Sequence, residues 1–220
     1  MSTILKDEVN KPTEGFFKLE CLDKEGNIID SFEQQNMIMQ KSKATVANST
    51  MGQYPQQDFI NKIVLGDGGS DNGNLLVGRD FSFTRINLFA EQNVGETFTI
   101  LFNPLGRAGN GTAPTLAEFY TGDITAPGTS TVDINIINNS TIQYVFDISP
   151  GSGNSGGGNG VKPWTEAALY TRRDDNVDYS TDSETIGSPA KNGNIFAMRT
   201  FPAKIKDATT TFRITWEIVF

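Results

Sequence analysis

Residues that move protons, bind ions or stack on a ligand are unevenly supplied in this chain. Histidine is absent, and with it the imidazole base that Ser-His-Asp and Cys-His nucleophile systems require. The same absence removes histidine-based zinc and non-haem iron sites. Cys21 is the only cysteine, so neither an internal disulfide nor a thiolate zinc cage staples the fold. Carboxylates remain. Asp174, Asp175, Asp178, Asp182 and Glu184 cluster around Tyr179, just after Arg172 and Arg173. A carboxylate pair can run glycoside hydrolysis when a groove holds it at the right separation. Here Ser180, Thr181 and Ser183 surround the acids and apolar residues are scarce. That is the composition of a solvated loop, without the partial burial that tunes a catalytic carboxylate. No catalytic residue is assigned.

A second oxygen-rich group, Asp67, Ser70, Asp71, Asn72 and Asn74, lies in a glycine-rich stretch. Counted from Asp67, the EF-hand order fails, because Gly69, Asn72 and Gly78 fall at the third, sixth and twelfth positions. Asp and Asn in such loops more commonly serve turn geometry. Gly66-Asp67-Gly68-Gly69 has the outline of a phosphate loop, but the P-loop lysine and hydroxyl residue are missing and no βαβ pattern follows. A tight turn needing positive φ is the expectation. Asn48-Ser49-Thr50 satisfies the glycosylation pattern with nothing to mark secretion by a eukaryote. Trp164, Tyr170 and Trp216 are candidate platforms for a sugar ring. Trp216 lies in phase with four other apolar residues and is expected in the core; Trp164, after Pro163, is the more exposed candidate, with sheet-edge packing as its other reading. No metal ligand and no cofactor-binding residue is assigned.

Charge narrows the partners. Eighteen Lys+Arg against 26 Asp+Glu give a net charge of −8. Duplex-binding proteins neutralise phosphates with a basic surface, so nucleic acid is not the expected partner. No apolar run is long enough for a membrane span, and the stretch from Met1 to Glu8 has no signal-peptide core. The expectation is a protein made in a cytoplasm, with no membrane partner.

Any site must be positioned by elements, and the periodicity of this chain is mostly that of strands. Phe212, Ile214, Trp216, Ile218 and Phe220 alternate with Thr211, Arg213, Thr215, Glu217 and Val219, the pattern of a half-buried strand. Val132-Ile134-Ile136 and Ile142-Tyr144-Phe146-Ile148 repeat it on either side of Asn138-Asn139-Ser140, which predicts a hairpin. Phe98, Ile100 and Phe102 mark another strand. Phe17, Leu19 and Cys21 lead through Lys24-Glu25-Gly26-Asn27 into Ile28–Phe32, a further hairpin. Ile60–Leu65 reads as a strand. From Asn36 to Met51 the spacing of Met37, Ala44, Ala47 and Met51 predicts one short helix, stopped by Gly52 and Pro55. Long Gly/Asn/Ser-rich loops are expected near 66–78, 106–114, 149–163 and 171–193, the third of them mobile. The expected fold is mainly β: an antiparallel β-sandwich or jelly-roll-like barrel over 15–220, after a polar N-terminal arm at 1–14.

Taken in order, several segments resemble a family of bacteriophage virion proteins from tails, baseplates and necks. They are Asp23-Lys24-Glu25-Gly26-Asn27-Ile28, Gln35-Asn36-Met37-Ile38, and Ile60-Asn61-Lys62-Ile63-Val64-Leu65-Gly66-Asp67-Gly68. Glu166-Ala167-Ala168-Leu169-Tyr170 is similar to the family's E-A-G-L-Y element, with Ala168 in place of glycine. The segment from Ile195 to Asp207 looks like the strand and turn that follow, and Thr215-Trp216-Glu217-Ile218-Val219-Phe220 like the closing W-x-I-x-F strand. The Gly-rich and acidic loops depart from the pattern. The resemblance implies a non-enzymatic structural β-domain of the virion, made in the host bacterial cytoplasm. It would assemble with copies of itself and with other virion proteins, with no cofactor and no catalytic residues to carry over. Capsid decoration or fibre anchoring belongs to the same class. The alternative from another class is a carbohydrate-binding β-sandwich that meets a glycan through Trp164 or Tyr179.

Overall fold

The computed structural model describes residues 14–40, 42, 60–85, 87–92, 95–102, 116–120, 123–124, 130–154, 160–171 and 194–220. The strands are β1 (Glu14–Leu22), β2 (Ile28–Gln35), β3 (Met37–Ile38), β4 (Ile60–Gly66), β5 (Ser70–Asp71), β6 (Asn74–Gly78), β7 (Thr97–Phe102), β8 (Leu116–Tyr120), β9 (Asp123–Ile124), β10 (Thr131–Asn138), β11 (Thr141–Ile148), β12 (Lys162–Thr171), β13 (Asn194–Lys206) and β14 (Thr211–Val219). A four-residue helix, α1 (Phe89–Gln92), precedes β7. All pairings are antiparallel. Five strands form one sheet in the order β10-β11-β14-β1-β2, and seven form the other in the order β3-β13-β12-β4-β7-β8-β9. The two pack face to face as a β-sandwich, and β5-β6 is a separate two-stranded ribbon.

The core between the sheets is built by period-two alternation. In β14, Phe212, Ile214, Trp216 and Ile218 point inward, while Arg213 faces out and Phe220 is half-exposed beyond the strand end. Phe17 of β1 lies at the centre of an aromatic cluster. Its ring meets Trp216 edge-on at 4.8 Å between centroids and stacks on Phe201 of β13 at 5.5 Å. This contact joins the two sheets. Polar ties close one margin of the sandwich: Lys204 of β13 donates to Asp30 (2.7 Å) and to the Ser31 carbonyl (3.0 Å) of β2. Arg199 donates to the Gln35 carbonyl at 3.1 Å. Cys21 packs in the same core, where burial, reinforced by the charge of Asp30, pushes its thiol up to about 12. It behaves there as a small apolar side chain.

The seven-stranded sheet is covered on its second face too. Met39, Leu88 and Phe89 pack there against Val64, Ala168, Tyr170, Ile195 and Met198. A strand covered on both faces has no solvent side, which is why β12 and β4 read as near-continuous buried runs while β14 alternates.

The hairpins β1-β2 and β10-β11 and the strands β4, β7 and β14 stand where the periodicity put them. Other expectations change. The helix expected from Asn36 does not begin there. Met37 and Ile38 pair with Met198 and Ala197, and Met39 N–H continues the pairing to the Phe196 carbonyl, so this stretch alternates between two apolar surfaces. Helical conformation is reached at Gln40 and Ser42, and 43–51 lie outside the described residues. The 66–78 loop contains the β5-β6 ribbon, turned at Asn72-Gly73, where both φ angles are positive (50° and 80°). The start of the 149–163 loop is packed. Ser152, Gly153 and Asn154 are buried, and Lys206 reaches in to donate to the carbonyls of Ser149 (2.8 Å) and Thr210 (2.6 Å) and to Asn154 Oδ1 (3.2 Å). Lys162 and Pro163 already belong to β12. The residues 155–159, the 106–114 loop, the arm up to residue 13 and 172–193 lie outside the described residues.

Phe17→Ala removes the ring that both sheets share. It is expected to lower unfolding stability by about 3–5 kcal/mol, read from the midpoint and slope of denaturant unfolding.

Candidate functional site

The chemistry-bearing side chains with unusual surroundings gather where β12 passes under α1. Glu166 is fully buried in β12, between Gly66 of β4 and Thr200 of β13. Its Oε2 accepts the Phe89 N–H at 2.9 Å and its Oε1 the Ala90 N–H at 2.7 Å. These are the first two amides of α1, which have no partner within the helix. The amide just before them, Leu88 N–H, donates to Glu91 Oε2 at 2.8 Å, the backward half of a capping box. The same oxygen accepts the Tyr170 hydroxyl of β12 at 2.9 Å. Two carboxylates therefore hold a short helix that could not hold itself.

Burial pushes the Glu166 carboxyl from its ordinary 4.5 up to about 7, against the opposing pull of the Ala90 and Phe89 amides and the charge of Arg85. Burial likewise drives Tyr170 well above the usual phenol range, with Glu91 adding to it. Burial lowers Arg85, with Glu166 working against it. The guanidinium groups of Arg85 and Arg79 lie over the Phe89 ring, at 3.4 and 4.2 Å from its centroid.

The Gly66-Asp67-Gly68-Gly69 segment wraps this junction, and its glycines answer a need other than the one expected. Positive φ occurs at Gly26, Asn72, Gly73 and Gly153 among the described residues, and at none of these three glycines. What they supply is closeness. A Cβ on Gly68 would stand 2.3 Å from the Ala90 nitrogen, and one on Gly66 2.5 Å from Glu166 Oε1. Gly69 N–H donates to Thr165 Oγ1 at 2.8 Å. Asp67 is bound on both sides: Oδ1 accepts the Glu96 N–H (2.9 Å) and Oδ2 pairs with Lys162 Nζ (2.6 Å). Lys162 pairs with Glu96 as well. Burial alone would lower the Lys162 ammonium, but its hydrogen bonds to Asp67 and Glu96 together raise it.

A carboxyl that titrates near neutrality is the usual equipment of a general acid or base. Glu166 is nonetheless fully enclosed, and each of its oxygens already receives a backbone amide. Its chemistry is spent on anchoring.

The other expected site residues are spread out. Asp67 is taken up by Lys162 and Glu96 as above. Asp71 Oδ1 accepts from Asn72 Nδ2 (3.1 Å), and Asn74 Oδ1 caps the Leu76 N–H (3.0 Å), so these two shape the ribbon turn. Among the described residues no group of three or more Cys, Asp or Glu is placed to hold a metal ion. Trp164 is not the exposed platform expected: it is fully buried, and its indole N–H donates to the Gly153 carbonyl at 2.9 Å. The bulge between Trp164 and Glu166 turns the indole into the inter-sheet core. Tyr170 is buried and Trp216 is core, as expected of the latter. The acidic stretch from Asp174 to Glu184, with Tyr179, Arg172 and Arg173, and the Asn48-Ser49-Thr50 triplet lie outside the described residues. Sequence reading passed over Glu166 as part of E-A-A-L-Y. Its signal was a lone acid opening the apolar run Ala167–Tyr170.

Outside this junction, several exposed apolar side chains fall on outer strands and on the β5-β6 ribbon. Ile28 and Ile29 lie on β2 and Ile136 and Ile137 on β10, the two outer strands of the five-stranded sheet. Leu75, Leu76 and Val77 are exposed in succession on β6. No family model matches this chain, and no curated protein or solved structure matches it.

The Glu166 carboxyl generates a stability slope with a definite sign. Its native pKa lies above its unfolded value, so between pH 4.5 and about 7 the native state holds a proton that the unfolded state has lost. The contribution is complete below pH 4.5 and is lost as pH rises to about 7, amounting to roughly 3 kcal/mol. Glu166→Gln carries no titration. Unfolding measured from pH 4 to 8 is expected to show the wild type losing about that much relative to the variant. Gly68→Ala forces a methyl group against the α1 backbone and is expected to cost about 1–3 kcal/mol, measured by the same unfolding curves.

Proposed function

We propose that this chain is a non-enzymatic structural protein of a bacteriophage particle, a component of the tail, baseplate or neck that assembles in multiple copies through its β-domain and loops. The observation that carries this reading is where the chemistry and the apolar surface lie. Glu166, Glu91, Asp67 and Lys162 are turned inward to tie segments of one domain together. Ile28, Ile29, Ile136 and Ile137 are exposed on two outer strands and Leu75, Leu76 and Val77 on the β5-β6 ribbon, where another protein can reach them. Among the described residues the outer edges of β2 and β10 carry no paired strand, and open strand edges with apolar side chains are natural places for strand-to-strand contact.

The resemblance in segment order supports the same reading. Its E-A-A-L-Y element contains Glu166, its Ile195–Asp207 element runs through β13, and its W-x-I-x-F element, from Trp216 to Phe220, forms the end of β14 and the residue after it. In this reading the elements shared with the family are those that hold the sandwich together, and the loops that depart from it are free to suit particular neighbours. The carbohydrate alternative loses its better platform, since Trp164 has no exposed surface, and Tyr179 lies outside the described residues.

Mass spectrometry of purified particles checks the proposal. The chain is expected among the virion proteins in multiple copies, with density for a two-sheet domain at the tail, baseplate or neck. Particles that lack it overturn the reading.

A further inference from the structure

We propose that Lys162 and Asp67 become joined by a side-chain amide bond that forms spontaneously in the folded chain, with Glu96 relaying the protons. The three residues meet beside the ends of three neighbouring strands of the seven-stranded sheet. Lys162 opens β12, Asp67 directly follows β4, and Glu96 directly precedes β7. Lys162 Nζ lies 2.6 Å from Asp67 Oδ2 and also contacts Glu96 Oε2. An ordinary hydrogen-bond angle then puts the Asp67 Cγ about 3.5 Å from that nitrogen, at the edge of near-attack range.

The carboxyl group is held for this encounter before any bond forms. Asp67 N–H donates to the Glu96 carbonyl at 3.3 Å, and Asp67 Oδ1 accepts the Glu96 N–H at 2.9 Å. Gly95 leaves room for the carboxylate, since a Cβ there would stand 2.4 Å from Asp67 Oδ1. On the lysine side, the Trp164 ring centroid lies 5.5 Å from Nζ. The side chains of Lys162 and Asp67 are 11% and 23% exposed, while Glu96, at 43%, opens a way out for departing water. Free amines and carboxylates scarcely condense in water, but fixed geometry raises the effective concentration to the order of 10⁵–10⁸ M. The amide also removes two charges from a site where each bears a desolvation cost.

The atoms balance without a further reactant. Lys162 enters as an ammonium, held in place by its ion pairs, and Asp67 as a carboxylate. Glu96 Oε2 draws a proton from Nζ, and the freed lone pair forms the Nζ–Cγ bond. The Cγ–Oδ2 bond breaks with its electron pair on oxygen. Two of the three Nζ protons, passed through Glu96, leave with Oδ2 as water, and the third stays on the amide nitrogen. Glu96 ends ionised, as it began, and nothing is oxidised or reduced. The neighbouring hydrogen bonds survive, because Oδ1 keeps the Glu96 N–H and the amide N–H still donates to Glu96 Oε2. The product is a covalent tie between β12 and the end of β4, across 95 positions of sequence.

Intact-mass spectrometry of the denatured full chain tests this, on fresh protein and after prolonged incubation of the folded chain at neutral pH. The wild type is expected one water lighter than its sequence. Proteolysis is expected to release a branched peptide that joins the Lys162 and Asp67 segments. Lys162→Arg keeps a cation beside Asp67 without a primary amine, and is expected at full sequence mass, as is Asp67→Ala. Glu96→Gln keeps the shape but not the proton acceptor, and is expected to slow linkage on the order of a hundredfold. A wild type that stays at full sequence mass overturns the proposal, and this readout needs no variant to fold. So does a water loss that persists in Lys162→Arg, because a succinimide at Asp67-Gly68 loses one water as well. Linkage undiminished in Glu96→Gln overturns the relay.

Discussion

The outer face of the seven-stranded sheet depends on one buried carboxylate. A helix of four residues is far below the length that is stable alone, yet α1 carries Phe89, which covers Val64, Tyr170 and Met198. Glu166 makes this arrangement hold by accepting the two leading amides of the helix from within β12. The sheet supplies an anchor to the segment, and the segment supplies an apolar lid to the sheet. Enclosure strengthens each of these hydrogen bonds while penalising the charge that makes them, and the balance leaves the carboxyl titrating near neutrality. The glycines at Gly66, Gly68 and Gly69 belong to the same arrangement, because only a bare backbone passes between the carboxylate and the helix.

Much of the sandwich was legible from alternation. β14 and β11 each leave one face to solvent, so their apolar residues fall at every second position and announce the strand. β12 and β4 are covered on both faces and show no such alternation, and only their order and β-branched or aromatic content hinted at them. The misplaced helix start has a similar cause. Met37 and Met39 serve one apolar surface while Ile38 serves the other, a period of two that the longer helical spacing concealed.

The site was much less legible. Glu166 acquires its environment from residues about 77 positions away at Phe89 and Ala90, a separation that no local window spans. Trp164 misled for a related reason. A proline before an indole suggests an edge, but a shift of register, in which Thr165 alone faces three residues of β13, turns the side chain inward, and the carbonyl of Gly153 receives its N–H. A loop composed of Gly, Ser and Asn reads as mobile, whereas a single lysine ammonium at Lys206 donates to the Ser149 carbonyl and to Asn154 Oδ1 and so gives its first residues a fixed shape. In each case a partner distant in sequence decides what a local pattern means.

The position of β14 carries a kinetic consequence. It lies between β1 and β11, and its register with β1 runs from Glu14 opposite Val219 to Leu22 opposite Thr211. The five-stranded sheet therefore closes only by bringing together segments separated by nearly the whole chain, the kind of long-range closure that slows folding. On a ribosome, β1 and β2 emerge early and wait as a two-stranded hairpin, with Phe17 and Leu19 uncovered, until the last strand arrives. During that interval the vacant edge of β1 is open to the wrong strand, including one from a neighbouring nascent chain. The longer that interval lasts, the more such mispairing competes with correct closure.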